Sequence, residues 1–439
     1  MPRGPRNLRI SCDGAGLTAF GGVALLHAFF QRLGIRGQLQ RWVRFAQRNN
    51  DYSISEVIEA LLYPIILGLG RVETTEPLRR NGVFQYLAGL RQYPQATTLR
   101  RFLQRFGRRG RDKFVALHDR WRREMFGRPG LPRRALLDLD TTVVTVYGRQ
   151  QRSAVGYNPK RRGSPSYLPL LCFEGQSADV WGGSYHPGNT HPTTVSLRML
   201  QDAFAKLPKK IKKVIVRADA AFFDHEIMGF IEANGAFYVI AAHMMVPIKN
   251  RLGGLRYRRV SPGVWAGEFR YCPQGWKAPG RFVVIRRSIP EEPTTQLHLF
   301  QMGRSLYHVF VTNLSWKPLN LWRFYHRRAT AELIIRELKA AYALGKVPTN
   351  DFAANEVFFQ IVLLAYNLLN WFKRLCVPAR WQRATLQRMR QGLFSVPAQL
   401  VRPAGVPTLR IPAGHAYAQD ISNIVGSIKR VRPLPSLPG

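Results

Sequence analysis

The amino-acid sequence predicts an α/β protein with a helical N-terminal region and a β-rich insertion before its last functional helix. Apolar residues recur at helical spacing from residue 14 to about 130. Strand-like and helical patterns then alternate from 134 to 243, which indicates a sheet layer covered by helices. The helical period disappears between 246 and 314 and returns at Leu321. The chain has 439 residues and so exceeds one ordinary domain of ~100–200 residues.

The predicted N-terminal helices include one segment with a distinct arginine surface. In TTLRRFLQRFGRRGRDKF, one helical stripe is apolar and consists of Leu99, Phe102, Leu103 and Phe106. The other faces of this predicted helix carry Arg100, Arg101 and Arg105. A helix that packs through its apolar stripe leaves such arginines free to contact phosphate groups. The alternative is a charged face that is only solvated.

The alternating region begins at Arg134 with RALLDLDTTVVTVYG, whose β-branched and apolar residues are typical of a central strand. The later strand-like segments are SYLPLLCF, ADVWGGSYH, KKVIVRADAAFF and AFYVIAAH. Between them, VSLRMLQDAFAKL and DHEIMGFIEANG have helical patterns, and Asp224 is the predicted N-cap of the second helix. The order of these segments predicts an α/β core.

The last part of the chain has three predicted features. Short strands separated by turn residues form a β-rich insertion at about 246–314. Long helical patterns follow from Leu321, and residues 413–439, rich in Pro and Gly, are predicted to be a loosely ordered tail. The predicted regions are therefore 1–130, a core at 131–412 that the insertion interrupts, and the tail.

The charge of the chain calls for a polyanionic partner. The sequence has 66 Lys and Arg against 26 Asp and Glu, which gives a formal net charge of +40. Such an excess is typical of proteins that bind DNA or RNA. Anionic lipid is the alternative, but no amphipathic basic anchor stands out. An RNA-binding protein would explain the charge but not the acidic residues described below.

The remaining composition predicts a cytoplasmic protein without a membrane span. The four cysteines form no CxxC pair, which argues against a disulfide framework or a cysteine zinc site. The N-terminus lacks the apolar run of a secretory signal. The apolar stretches around 57–69 and 357–372 are shorter than the ~18–20 uninterrupted residues of a membrane helix.

The positions of a few acidic residues suggest a catalytic site. Asp138 and Asp140 lie two apart on one predicted strand and therefore share a face. Asp219 ends the strand VIVRAD, where open α/β sheets place their sites. Glu332 belongs to a predicted helix in which one polar stripe carries Tyr325, Arg328, Glu332 and Lys339.

Two aspartates and a glutamate at one point would repel each other strongly. A pair of Mg²⁺ ions relieves this repulsion, because Mg²⁺ prefers oxygen ligands and is commonly held by carboxylates and substrate phosphates. Two such metals support an in-line phosphoryl displacement. Arg328 and Lys339, on the helix face of Glu332, are then placed to hold phosphates beside the scissile bond.

A second basic segment, GRQQRSAVGYNPKRRGSPS, surrounds Tyr157 with positive charge. Its basic residues are Arg149, Arg152, Lys160, Arg161 and Arg162. Basic residues around an aromatic ring suit phosphate contact together with base stacking. The alternative is an exposed hairpin tip without a partner.

These residues resemble a known family. Asp140-Thr-Thr, the strand-end Asp219 and the Y-x2-R-x3-E-x6-K array from Tyr325 to Lys339 resemble DDE transposases of the insertion-sequence 4 superfamily. The phrases LDLDTTVVTVYG, AVGYNPKRRGSPSY, HPGNTH and VRADAAFF resemble its insertion-sequence 1380 group, and the resemblance covers about residues 10–412.

The resemblance implies a ribonuclease H-like catalytic core, with the β insertion between the second aspartate and the glutamate. It implies that Asp140, Asp219 and Glu332 hold two Mg²⁺ ions, with Mn²⁺ as a substitute. The enzyme would cut double-stranded DNA at terminal inverted repeats and join the 3′ ends to target DNA, as a homodimer in the DNA complex. Residues 1–130 would be a DNA-binding region, in a nucleoid-associated prokaryotic protein.

Several alternatives stay open. Asp138 is the alternative to Asp140 as the first ligand, and Tyr325 is either a core aromatic or a phosphate contact. The family stacks a displaced base on an aromatic of the β insertion, for which the candidates are Tyr307, Trp265 and Trp316. The rival functions are a metal-dependent endonuclease without strand transfer and a DNA-binding protein that has lost catalysis.

Overall fold

The computed structural model describes residues 10–46, 51–128, 133–288, 300–302 and 305–435. Parts of the predicted N-terminal region, insertion and tail therefore lie outside the described residues. The helices are α1 (Val23–Leu33), α2 (Ile35–Trp42), α3 (Ile54–Leu67), α4 (Glu76–Arg79), α5 (Gly82–Leu87), α6 (Ala96–Gly127), α7 (Pro192–Ala205), α8 (His225–Ala233), α9 (Val246–Gly254), α10 (Pro318–His326), α11 (Ala329–Ala341), α12 (Phe352–Cys376), α13 (Ala379–Gln382), α14 (Leu386–Met389) and α15 (Ala418–Arg430).

The strands follow the same order along the chain. They are β1 (Leu17–Thr18), β2 (Arg134–Thr141), β3 (Val144–Thr145), β4 (Ala154–Val155), β5 (Pro165–Glu174), β6 (Asp179–Pro187), β7 (Lys213–Ala218), β8 (Phe237–Ala241), β9 (Arg258–Ser261), β10 (Val264–Tyr271), β11 (Gly280–Ser288), β12 (Phe300–Met302), β13 (Ser305–Thr312), β14 (Ala398–Val401) and β15 (Thr408–Arg410). The alternation of strands and helices confirms the predicted mixed α/β class.

The first of two compact units is mainly helical. It consists of Met1–Phe106, Ala341–Ala343 and Trp371–Gly439, and it contains a small antiparallel sheet in the order β1-β14-β15. Its helix α3 begins with a capping box in which Ser53 accepts from the Glu56 amide and the Glu56 carboxylate accepts from the Ser53 amide. This arrangement satisfies amide groups that a helix start leaves unpaired.

The second compact unit carries a large mixed sheet. It consists of Gly107–Ala340 and Leu344–Asn370. The main strand order is β3-β5-β2-β7-β8-β13-β11-β10-β9, with β4 and β6 paired to β5 and β12 paired to β13. The strands β2, β7 and β8 are parallel to each other, and the other described pairs in this sheet are antiparallel. Strands of the predicted insertion thus extend the same sheet through β13.

Alternate residues of the central strands face opposite layers of the second unit. Leu137 and Val216 belong to an apolar cluster that helices α7, α8 and α9 cover. Leu136 and Ile215, one residue away on each strand, belong to a second cluster that contains Leu321 of α10. Side chains alternate along a strand, so positions two residues beyond Leu136 and Ile215 face α10 as well.

Two of the sequence predictions are corrected by local structure. Residues 246–254 form α9 within the segment predicted to lack helices, because Ile248 and Leu252 make a buried stripe that is too short to stand out as a period. The tail predicted to be loosely ordered contains α15, whose Ile424 and Ile428 are buried. The compact units also divide the chain at other positions than the predicted regions.

Helix α12 is long and apolar, but it lies in the interior of the protein. Within the described residues it is long and apolar enough to cross a membrane by length and composition, but 89% of its apolar window is buried inside the protein. Its polar side chains have partners, since Gln360 donates to the Gly183 carbonyl and Asn367 donates to that of Val180. A buried position in the fold accounts for the apolar sequence of this helix.

The arginine-rich segment of α6 has the predicted apolar stripe. Leu99, Phe102, Leu103 and Phe106 are all buried, and the adjacent Gly107 breaks the helix with a φ of 61°. Arg101 and Arg105 are exposed, whereas Arg100 is half-buried and forms an ion pair with Glu73.

A buried ion pair ties the central strands to α10. Arg217 of β7 donates from Nε and Nη2 to the two carboxylate oxygens of Asp138 on β2, over 2.6 and 2.7 Å. Its third nitrogen donates to the carbonyl of Phe324 on α10. Both Asp138 and Arg217 are only 1% exposed, so each needs the other to offset the loss of its water.

Replacement of Arg217 by Met should destabilise the protein strongly, because Asp138 would keep a buried carboxylate without its counter-ion. We expect a loss of about 3–5 kcal/mol in the free energy of unfolding, measured by urea titration. The double variant Asp138→Leu/Arg217→Met should lose less than Arg217→Met alone. Arg79→Met, which removes an exposed ion pair with Glu76, is the control and should leave the transition in place. Equal transitions for Arg217→Met and the wild type would contradict the assigned role.

Candidate active site

Asp140 and Asp219 emerge side by side at the carboxyl ends of two parallel strands. The pairing of β2 with β7 matches Asp138 with Arg217, and Asp140 and Asp219 each lie two residues further along. Neighbouring strands are about 4.8 Å apart, and both side chains share the sheet face that α10 covers. Asp219 also begins a short turn, since its Oδ1 accepts from the Ala221 amide over 2.9 Å.

The two aspartates of β2 have different surroundings. Asp138 uses both carboxylate oxygens to bind Arg217. Asp140 lies nearer the strand end, where one oxygen accepts from the Thr141 amide over 2.8 Å and the other faces Arg328. Asp140 is therefore the aspartate of β2 that lies among the other candidate residues.

The four-residue stripe predicted on one helix lies on two. Tyr325 belongs to α10, which ends at His326, and Glu332 and Lys339 belong to α11, which begins at Ala329. Arg328 lies in the turn between them, where its amide donates to the Tyr325 carbonyl over 2.8 Å. A continuous helix was thus the wrong prediction, although Arg328 still lies beside both Tyr325 and Glu332.

Arg328 joins two of the acids directly. Its Nη1 donates to Asp140 over 3.0 Å, and its Nη2 donates to Glu332 over 2.8 Å. The two nitrogens belong to one rigid guanidinium, so the Asp140 and Glu332 carboxylates lie within roughly 8 Å of each other. Arg328 is only 4% exposed, whereas the Glu332 side chain is 49% exposed and forms the open side of the site.

Burial and the neighbouring charges together set the pKa of Asp140. Burial is the largest effect and raises this pKa, Arg328 lowers it, Asp219 and Glu332 raise it, and the net value is about 7. Burial lowers the pKa of Arg328, but nearby Tyr325 and the three acids reverse this effect and leave it raised. All three acids thus lie within electrostatic reach of one arginine.

Tyr325 and Lys339 flank this group. Burial raises the pKa of Tyr325 to about 12, its ring lies 4.5 Å from that of Phe310, and its centroid is 5.7 Å from the Arg328 guanidinium. The Lys339 ammonium donates to the Val143 carbonyl over 2.7 Å, just beyond Asp140 on the chain. Burial and the neighbouring charge of Lys160 lower the pKa of Lys339 to about 8.

The acids are of the ligand type that a divalent metal prefers, but their side chains do not have metal-binding geometry. Carboxylate oxygens are the ligands that hard divalent cations prefer, and two aspartates and one glutamate meet here. Across the described ranges, no group of three or more His, Cys, Asp or Glu side chains has metal-binding geometry. Arg328 lies between Asp140 and Glu332 and forms an ion pair with each.

The other candidate residues belong to the basic loop and to the predicted insertion. The basic loop, residues 147–163, exposes Arg149, Arg152, Lys160, Arg161 and Arg162. It also exposes Tyr147, which the sequence analysis did not single out and whose ring lies 5.0 Å from the Arg161 guanidinium. Among the aromatics of the predicted insertion, Tyr307 is buried and Trp265 is half-buried beneath Arg286. Trp316 packs against Phe324 with ring centroids 5.1 Å apart.

One comparison with known proteins identifies a family. A family model described as transposase DDE domain, group 1, matches residues 2–433. Among solved structures, the chain is similar to the piggyBac transposase in a synaptic complex with hairpin DNA. The TM-score is 0.48 at 12% identity, over 86% of this chain and 81% of that one. A comparison with curated proteins gave no match.

The raised pKa of Asp140 should appear in the pH dependence of stability. Folded Asp140 keeps its proton up to about pH 7, whereas an unfolded aspartate loses it near pH ~3.9. The stabilisation that this group contributes is therefore fully present below about pH 4 and is lost progressively as the pH rises from about 4 to about 7. In chelator-treated protein, the unfolding free energy of Asp140→Asn minus that of the wild type should increase between pH 4 and 7 and level off above.

Asp202→Asn is the control for this series, because it removes one negative charge at an exposed position. Urea titrations at each pH give the required free energies. A difference between Asp140→Asn and the wild type that stays constant from pH 4 to 8 would contradict the assigned proton affinity.

Proposed function

The chain belongs to the family of transposase DDE domains of group 1, and we propose that it cuts DNA at the ends of a mobile element and joins the 3′ ends to target DNA. The observation that carries this proposal is the meeting of Asp140, Asp219 and Glu332 around Arg328. Acids from two strand ends and a helix, together with a buried arginine, suit phosphoryl transfer.

The order of the central strands supports a ribonuclease H-like core for this enzyme. Strands β6, β5 and β2 form an antiparallel set, and β2, β7 and β8 continue it as a parallel set. The first two acids end adjacent parallel strands, and the third comes from a helix that follows the inserted strands. The sequence motifs further support a place in the insertion-sequence 1380 group of the insertion-sequence 4 superfamily.

The proposed cofactor is a pair of Mg²⁺ ions, with Mn²⁺ as a substitute. Domains of this family generally use divalent metal ions. When bound, such ions activate the attacking oxygen and stabilise the leaving oxygen of the scissile phosphate. Asp140, Asp219 and Glu332 would hold them, and a cation would offset the cost of a charged Asp140, whose pKa is raised mainly by burial and further by the two other acids.

Arg328 has two alternative partners in this proposal. Without DNA, its guanidinium neutralises Asp140 and Glu332, and its Nε is buried without a hydrogen-bond partner among the described residues. A DNA phosphate offers oxygens in a geometry that a guanidinium binds with two parallel bonds. Transfer of Arg328 from the acids to a phosphate would release the carboxylates and hold the DNA beside them.

DNA is the proposed partner because it suits both the positive net charge of the chain and the phosphoryl transfer proposed for the acidic site. The net charge of +40 favours a polyanion, and the exposed arginines of the basic loop and of α6 provide surfaces for the phosphate backbone. Lys339 and Tyr325 would contact phosphates next to the cut. Joining two ends to one target requires two active sites, so a homodimer on DNA is part of the proposal, in a cytoplasmic prokaryotic protein associated with the nucleoid.

Removal of the acids should abolish catalysis but not binding. We expect Asp219→Ala and Glu332→Gln to lower Mg²⁺-dependent cleavage and strand transfer at least about a thousandfold, since a metal contributes several kcal/mol to such a transition state. Gel assays with duplex oligonucleotides that copy the inverted repeats flanking the gene measure both reactions. Glu337→Gln, the same substitution on the same helix, is the matched control and should retain activity.

The products separate the rival functions. Labelled pre-cut ends that become longer, by joining to a second duplex, support a transposase. Products that only become shorter indicate a nuclease without strand transfer. A wild-type protein that binds the ends but cleaves none of them with Mg²⁺ or Mn²⁺ would overturn the catalytic proposal.

Binding should depend steeply on salt, because each neutralised phosphate adds ~0.9 to the slope of log affinity against log salt. Arg162→Gln in the basic loop should lower this slope by about 0.9 if that arginine contacts a phosphate. Lys209→Gln, which removes one exposed charge on a turn, is the control and should leave it unchanged. Fluorescence anisotropy with labelled duplex at several salt concentrations gives the slopes, and equal slopes for the three proteins would exclude a phosphate contact at Arg162.

A further inference from the structure

We propose that the basic loop is a preformed stacking platform for unpaired nucleotides next to the active site, with Tyr147 and Tyr157 as the stacking rings. This inference rests on the proposed function, since it concerns the DNA strand that the enzyme cuts. The loop spans residues 147–163, between β3 and β5, and includes the short strand β4.

The side chains of the two tyrosines lie almost entirely in solvent. Tyr147 is 78% exposed and Tyr157 is 81% exposed. The guanidinium of Arg161 lies over the Tyr147 ring, 5.0 Å from its centroid. An aromatic ring left in water has lost the contacts that usually hold it in a core, and a flat ring beside an arginine is a surface on which bases stack.

The loop is fixed in place although its rings are exposed. Asn158 is buried, donates to the Thr145 hydroxyl over 3.0 Å and accepts from the Arg161 amide over 3.1 Å. Gly156 packs so closely that a Cβ there would lie 1.8 Å from the Gly188 carbonyl oxygen. These contacts order the backbone before any ligand binds, which lowers the entropy lost on binding.

A third contact holds the first half of the loop. The Tyr167 hydroxyl donates to the Gln151 carbonyl over 2.6 Å, and the Gln151 amide donates to the Asn350 carbonyl over 2.9 Å. Arg152 lies over the ring of Phe352, 4.7 Å from its centroid. The exposed side chains are thus carried by a backbone that is anchored at both halves.

The charge of the loop selects a nucleic acid strand. Residues 147–163 contain five basic residues and no Asp or Glu. The five cations attract phosphates, and the two rings bind bases of any sequence, so that a single strand satisfies both. Inside a duplex, each base is already stacked between its neighbours and offers the rings no free face, which makes unpaired nucleotides the better ligand.

The loop begins close to the acids. Tyr147 follows Asp140 by seven residues, and between them the Val143 carbonyl accepts from the Lys339 ammonium of α11 over 2.7 Å. Lys160 of the loop is near enough to this ammonium to lower the pKa of Lys339. Once a strand is cut at the acids, its terminal bases can unpair and stack on the rings.

The test compares two DNA probes with wild-type protein and loop variants. One probe is a blunt duplex, and the other is the same duplex with a short oligothymidine extension that contains 2-aminopurine. We expect the wild type to bind the extended probe about tenfold more tightly, with a change in 2-aminopurine fluorescence that reports stacking. Tyr147→Ala/Tyr157→Ala should lose this preference and the fluorescence change while binding the blunt duplex as before.

Two controls isolate the rings. Tyr147→Phe/Tyr157→Phe keeps both aromatic faces and should retain the preference for the extended probe. Tyr86→Ala removes another exposed ring, one that lies beneath Arg402, and should also retain it. Because the Tyr147 and Tyr157 side chains are largely exposed, their replacement should leave the melting temperature unchanged.

The outcomes are distinct from those of the catalytic proposal. Equal affinity of the wild type for the two probes, or a preference that survives in the double alanine variant, would overturn the stacking platform and leave the transposase proposal intact. Absence of cleavage by the wild type would instead refute the proposed function, whichever probe the protein prefers.

Discussion

The geometry of the site depends on the buried ion pair between Asp138 and Arg217. Arg217 binds both oxygens of Asp138 across β2 and β7 and also binds the Phe324 carbonyl of α10. It therefore sets the register of the two strands that end in Asp140 and Asp219 and the position of the helix that carries Tyr325. Gly175 makes room for this pair, since a Cβ there would lie 2.7 Å from Asp138 Oδ2. A buried ion pair with good geometry can specify one arrangement of the strands and helices that it connects.

The charges of the protein and of its site have opposite signs. The chain has forty more basic than acidic groups by formal charge, yet three of its acids meet around Asp140 with one buried arginine among them. Burial raises the pKa of Asp140 to about 7 in spite of the neighbouring guanidinium, so the fold disfavours the charged form of this carboxyl. Under the proposed function, a bound cation would offset this cost, and the net positive charge of the chain suits a polyanionic substrate.

The sequence alone allowed the α/β class, the strand-end aspartates and the basic loop to be predicted, because each follows from a local pattern. Strand periodicity predicted that Asp138 and Asp140 share a face, but only the structure shows that Arg217 occupies both oxygens of Asp138. The short stripe of α9 and the isolated helix α15 were missed, since a few apolar residues near Pro and Gly resemble a loop. Exposure of Tyr147 could not be predicted, because a tyrosine that follows a strand is as easily buried as exposed.

The break between α10 and α11 could not be predicted from the sequence either, and it shapes the candidate site. In one continuous helix, the side chain of residue 328 would lie along the same outer stripe as Glu332 and Lys339. The turn at Arg327 and Arg328 instead directs this guanidinium toward β2, where it is buried against Asp140. Glu332, one turn later, remains half in solvent and keeps the site open. The same turn thus buries Arg328, which offsets the charge of Asp140, and leaves Glu332 on the side that a substrate would approach.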